Sequence, residues 1–230
     1  MKLFIRNIFA GAILALASLT TASAYPTNGN LQDLVTNAGN SGGYLTGGSL
    51  TFYNFISSIQ TDTTGLGIQL SDFGVQAFAN AVTGDGLTLQ SIGNLNIPAG
   101  KSFDLRFQFY VSSPTPITSN ILTFAGTRND PAGNIIISET VLALPSLDQL
   151  SPATGNSVDC TQAATTLTYS SASTDFWVQK DIAVVGGAET TTSLSDVNQY
   201  FEPVPEPSSF ALIGLGVAGV ALMRRKLARK

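Results

Sequence analysis

The sequence predicts an all-β domain, a single sandwich or jelly roll, set between two terminal processing segments. Two observations predict it. Between residues 25 and 203 the chain holds 23 Thr and 19 Ser against two Lys and two Arg; Thr favours strands, while Ser, Gly and Asn favour turns. The apolar residues of the same stretch recur at period two in short runs, spaced roughly ten residues apart, as in sandwiches and barrels.

Taken in order, the elements begin with a weak helical spacing over Leu31–Val35. Phe52, Phe55, Ile56 and Ile59 predict a less regular strand from Leu50 to Ile59. Leu66, Ile68 and Leu70 alternate, as do Leu87 and Leu89 after the Gly84-Asp85-Gly86 turn, and each pair of signals predicts a strand. The clearest strand is Lys101–Ser112, where Phe103, Leu105, Phe107, Phe109 and Val111 alternate with Asp104, Arg106, Gln108 and Tyr110. Ile121–Phe124 and Ile135–Leu142 flank a turn-rich stretch, 127–134, and predict a hairpin with a long loop. Leu147–Leu150 is a second weak helical segment. Leu167 with Tyr169, then Phe176, Val178, Ile182 and Val184, mark further strands, and Val197–Phe201 a last one before a short stalk over 202–207. About 175 residues suffice for one core without disulfides.

Charge divides the chain in the same way. All fifteen acids lie between Asp33 and Glu206, whereas seven of the eleven bases sit at the extreme ends. Residues 25–207 hold four bases, Lys101, Arg106, Arg128 and Lys180, against fifteen acids, a net charge of −11. Nucleic acid is excluded as a partner, because phosphate neutralisation needs a clustered basic face. With no His and a single Cys, the chain has no Ser-His-Asp or Cys-His catalysis, no His-ligated metal, no Cys-based zinc site and no internal disulfide. Cys160 reads as a buried small hydrophobe, with an exposed thiol pairing between chains as the alternative.

The first 24 residues read as a signal peptide for the Sec translocon: Lys2 and Arg6, an apolar run from Ile8 to Leu19, and the small-residue cleavage site formed by Ala22 and Ala24. That run is too short for a membrane span, which needs roughly twenty residues. The mature chain then begins at Tyr25. At the other end Val204-Pro205-Glu206-Pro207 precede Ser208-Ser209, an apolar stretch from Phe210 to Met223 and the cluster Arg224, Arg225 and Lys226. The apolar stretch rises about 21 Å as a helix, short of the roughly 30 Å hydrocarbon core, and snorkelling Arg side chains extend its reach. The basic cluster stays cytoplasmic, which places the acidic domain outside. Gly214, Gly216 and Gly219 fit a dinucleotide-binding spacing, but no strand precedes them and no acid follows, so they are small residues of a membrane helix.

These C-terminal residues resemble the PEP-CTERM sorting signal of exported proteins in exopolysaccharide-producing Gram-negative bacteria. The resemblance implies a tail over 204–230, with Val204, Pro205, Glu206 and Pro207 as the recognition motif, a transmembrane helix over 208–223 and a basic tail over 224–230 whose Arg224, Arg225 and Lys226 stop transfer. It implies an exosortase, a membrane Cys protease-transpeptidase, as the partner that cuts the tail. It further implies transient anchoring in the inner membrane before delivery to the cell surface or extracellular matrix, in association with exopolysaccharide. Leu227–Lys230 is slightly more tail than such signals carry. The stretches around Leu50, Phe103, Glu139 and Val178 are similar to β domains that recur ahead of such tails without assigned activity, which implies a structural or surface role.

Three chemistries remain for the domain. A glycosidase-like carboxylate pair is the catalytic device this composition leaves open; Asp104, Glu139 and Asp181 lie in predicted strands and are expected on the outer, solvated face. No cofactor is expected, with loop calcium as a candidate at Asp130 with Asn129 and Asn134, and at Asp85, although no EF-hand string exists and turn chemistry explains them. Tyr110 and Trp177 are out of phase with the core residues beside them and form a candidate sugar platform on the opposite face, unless that face is covered. The expected function is therefore that of a non-catalytic surface or matrix protein, with a lectin or carbohydrate-active enzyme as the alternative.

Overall fold

The computed structural model describes residues 28–80, 84–144, 156–159 and 164–204. The export segment with Ala22 and Ala24, the Leu147–Leu150 segment, Cys160 and the tail from Pro205 onward lie outside those residues.

The described chain is almost entirely strand: β1 (Asn28–Asn30), β2 (Leu45–Gly47), β3 (Leu50–Asp62), β4 (Phe73–Phe78), β5 (Asp85–Ile97), β6 (Ser102–Arg128), β7 (Asn134–Ala143), β8 (Asn156–Asp159), β9 (Ala164–Val185) and β10 (Thr192–Pro203). One short helix, α1 (Leu31–Thr36), bears out the weak helical signal. Its first turn is closed by the Asn30 side chain, which accepts from the Gln32 amide at 2.9 Å, and it buries Leu31 and Leu34. All strands belong to one antiparallel hydrogen-bonded sheet, in the order β1-β4-β5-β10-β6-β9-β7-β8, with β3 also on β6 and β2 on β3. The all-β expectation holds.

Two strands set the architecture. A straight strand as long as the 27-residue β6 would run about 90 Å at about 3.3 Å per residue, far beyond one layer. The β6–β9 register breaks between Ser112 and Ser119, where Pro114 and Pro116 have no amide to give the ladder. Opposite the break, β9 exposes Ser170, Ser171 and Ala172. Before it β6 pairs with β3 and with the second half of β9; after it β6 pairs with β10 and with the first half of β9. The sheet therefore turns over on itself in a sandwich-like manner. One layer holds β2, β3, β7, β8 and the Ser102–Ser112 and Asp175–Val185 halves; the other holds β1, β4, β5, β10 and the remaining halves. Rings from strands that share no hydrogen bonds meet between them: Phe52 with Phe201 at 6.0 Å, Phe176 with Phe201 at 5.5 Å and Phe73 with Phe103 at 5.9 Å.

Two expectations need correction. Leu66, Ile68 and Leu70 form no strand; Leu66 is 58% exposed and the stretch leads into a 3-10 turn at Leu70–Asp72. The strand is β4, just beyond, whose inward residues Phe73, Val75 and Ala77 alternate with Gly74 and Gln76. The expected hairpin across 127–134 does not pair, because β7 lies beside β9 and β8 in the layer opposite the end of β6. The irregular spacing of Phe52 and Phe55 has a backbone cause: Asn54 has φ 51° at a bulge in the β3–β6 register, so both rings point inward.

Candidate functional site

The outer face of the first layer carries a row of rings. Register aligns Tyr53 of β3 with Tyr110 of β6, Tyr110 with Trp177 of β9, and Trp177 with Leu142 of β7. Tyr44 stacks on Tyr53 at 5.4 Å and 6°, Tyr53 meets Tyr110 at 5.6 Å and 33°, and Tyr110 meets Trp177 at 6.3 Å and 26°. The two residues singled out by phase, Tyr110 and Trp177, thus do share a face; Tyr44, just before β2, and Tyr53 extend it, and β3's irregular spacing hid Tyr53. The tyrosine rings are too close to lie side by side in one plane. They stand on edge, with their faces turned toward one another.

Below the rings the same face turns polar. Gln108 donates to Gln179 at 2.7 Å, and one step further Arg106 lies across from Asp181. Asp104 and Asp181 sit diagonally on the β6–β9 ladder, both half-buried and outward as expected. Burial, and then the charge of Asp181 and a hydrogen bond shared with it, raise the Asp104 carboxyl above the ordinary carboxylate range, against the lowering effect of Arg106. Burial also raises the Tyr53 phenol, helped by Asp175 and the neighbouring tyrosines.

Glu139 does not join that face, and this corrects the sequence expectation. It is 2% exposed and points between the layers. Its neighbours at i±2, Ile137 and Val141, are core residues, while Ser138 and Thr140 face outward. Period two therefore carries Glu139 inward. Lys180, between Val178 and Ile182, follows the same phase and is 1% exposed. The Lys180 ammonium contacts the Glu139 carboxylate and the side-chain carbonyl of Gln199 on β10. Gln199 Nε2 donates back to Glu139 Oε1 at 3.3 Å, and Asn120 Nδ2 donates to the same oxygen at 2.6 Å. Burial lowers the Lys180 pKa, opposed by the charge and hydrogen bond of Glu139. Burial and the Glu139 charge hold the Tyr169 phenol well above its usual range. Among the described residues the Tyr169 hydroxyl has no hydrogen-bond partner. A buried amine, a carboxylate and two carboxamides thus converge from four strands in both layers.

The loop carboxylates weighed for calcium are occupied by donors. Asp130 accepts from the amides of Ala132 at 2.9 Å, Ala188 at 2.8 Å and Glu189 at 3.3 Å, which lowers its pKa. Asn134 Oδ1 accepts from the Ile135 amide at 3.0 Å. Asp85 accepts from the amide and hydroxyl of Ser49 at 2.7 and 3.0 Å. These carboxylates fasten loops, as their turn-forming residue types imply. Among the described residues no cluster of three metal-binding side chains occurs.

The PEP-CTERM protein-sorting motif matches residues 203–226, so the chain carries that sorting signal. No curated protein matches the chain. Among solved structures the chain is similar to TmCBM61, determined in complex with β-1,4-galactotriose, at 14% identity and TM-score 0.32, covering 64% of this chain and 88% of that one. It is also similar to the xylan-binding module CBM15, at 10% identity and TM-score 0.27 over 65% and 99% of the two chains. TmCBM27, described for mannan recognition, matches at 7% identity and TM-score 0.26 over 67% and 99%.

Proposed function

We propose that this is an exported surface or matrix protein, delivered by an exosortase through its C-terminal signal, whose domain serves structure and not catalysis. The observation that carries the reading is the sorting motif over 203–226. It directly follows β10, the strand that pairs with both β5 and β6. The domain's chemistry supports a structural role, because its reactive groups are spent on one another. Asp104 and Asp181 lie diagonally on the β6–β9 ladder, where burial and the charge of Asp181 raise the Asp104 carboxyl. In this reading Pro205 and Pro207 hold the chain extended, since each fixes φ and removes an amide donor, and Glu206 is the charged contact for the protease cleft. Glu206→Ala should leave export intact and leave the protein membrane-bound with its tail uncut. Fractionation with mass spectrometry of the C-terminus checks this; a variant trimmed and released like the natural chain overturns the reading.

A second reading, polysaccharide binding, is favoured by the ring row alone. Sugars stack on ring faces, and here the tyrosine faces are turned toward neighbouring rings. The acidic domain also repels anionic glycans. Trp177→Ala with Tyr110→Ala should therefore leave retention on the cell's own polysaccharide unchanged in affinity electrophoresis. A several-fold loss of retention would assign the row to sugar binding.

A further inference from the structure

The cluster between the layers has the components of a covalent bond-forming reaction. An amine becomes a nucleophile only when neutral, and desolvation favours that form; Lys180 is fully buried and burial lowers its pKa. Lys180 lies against the side-chain carbonyl of Gln199, which places the amine beside the carbon it would attack. Exchange of one amine for another at that carbon needs a carrier that takes a proton from the attacking nitrogen and gives one to the leaving nitrogen. Glu139 touches both: one carboxylate oxygen contacts Lys180 Nζ, and the other accepts from Gln199 Nε2 at 3.3 Å. Asn120 donates to that second oxygen at 2.6 Å and holds the carboxylate in place. Water is excluded, since all four side chains are buried, so hydrolysis of an intermediate is suppressed.

We propose that Lys180 and Gln199 condense into an intramolecular isopeptide bond, with Glu139 as the proton carrier. The step balances without any co-reactant. Lys180 passes one ammonium proton to Glu139, and the neutral Nζ attacks Cδ of Gln199, forming the Nζ–Cδ bond while the carbonyl electron pair moves to Oε1. Glu139 gives its proton to Nε2 and takes one from Nζ. The carbonyl re-forms, the Cδ–Nε2 bond breaks with its electron pair, and ammonia leaves. The products are a secondary amide, free ammonia and a protonated Glu139. The bond joins β9 in one layer to β10 in the other, so the turned-over sheet is stapled across its interior. This goes beyond the sorting reading and does not depend on it.

The test starts from the natural protein, purified and denatured. The intact mass should be lower than the sequence mass of its processed form by one ammonia. After cleavage at Glu189, the peptides bearing Lys180 and Gln199 should remain joined, and trypsin should fail to cut at Lys180 even in denaturant. Glu139→Gln should abolish both the mass loss and the junction. Gln199→Ala should abolish the junction while leaving Glu139 in place. An unmodified mass with cleavage at Lys180 would make the cluster a buried ion pair and overturn the proposal. Loss of water with Lys180 joined to Glu139, or loss of ammonia with Lys180 joined to Asn120, would overturn the assignment to Gln199.

Discussion

Glu139→Leu is expected to lower the unfolding free energy by about 3–5 kcal/mol, because without its proton carrier Lys180 stays an unbonded amine and is stranded as a buried charge without its partner. Lys180 sits at 1% exposure on the core face of β9, opposite Phe107 on β6 and Glu139 on β7. Without the carboxylate its ammonium keeps only the Gln199 carbonyl, and Asn120 loses the acceptor it meets at 2.6 Å. The chain must then bury an uncompensated charge or deprotonate the amine, and both draw on the folding energy. Leu fills the space, so the cost is electrostatic and not a cavity. The double variant Lys180→Met with Glu139→Leu removes both charges and the amine. It should be more stable than Glu139→Leu alone, while lacking whatever the Lys180–Gln199 bond contributes to the natural chain. Urea unfolding of the three proteins orders them. A Glu139→Leu variant within about 1 kcal/mol of the natural chain would mean that water reaches the Lys180 amine and that its burial is not costly.

Most of the class of fold was legible in the sequence, because period-two alternation and a Thr/Ser-rich composition report a strand's two faces directly. Lys101–Ser112 was legible residue by residue, and so was the outward phase of Tyr110 and Trp177. What escaped has identifiable physical causes. The length of β6 and β9 was hidden by Pro114, Pro116 and the Ser170–Ala172 stretch, which read as turns and are in fact the bends where one strand passes between layers. The pairing partner of β7 is a non-local choice that no local run encodes. Glu139 is expected outward by alternation, yet it shares the phase of Ile137 and Val141 and points inward, and Lys180 shares the phase of Val178 and Ile182. The signal that would have found them is a charged residue at the same parity as flanking Ile and Val. Two such residues of opposite sign, in strands that then pair, announce a buried couple.

Phe52 and Tyr53 give the other large expected effect, and as neighbours on one strand they separate the two faces of the domain. Phe52 is fully buried and spans the layers, edge-on to Phe109 at 6.0 Å and tilted on Phe201 at 6.0 Å. Phe201 in turn meets Phe176 at 5.5 Å, so the ring is one link in a chain from β3 through β10 to β9. Phe52→Ala removes that link in a core whose backbones are held by ladders on both sides and cannot collapse into the gap. It should cost about 3–5 kcal/mol by the transfer and cavity terms together. Tyr53, one residue on, faces outward between Tyr44 and Tyr110. Tyr53→Ala loses two ring contacts at about 1 kcal/mol each and opens no cavity. Denaturant unfolding should therefore give Phe52→Ala a loss about one and a half to two and a half times that of Tyr53→Ala. Equal losses would mean that the layers are not closed over Phe52, and the reversed order would place the outer row, and not the interior rings, at the centre of the fold.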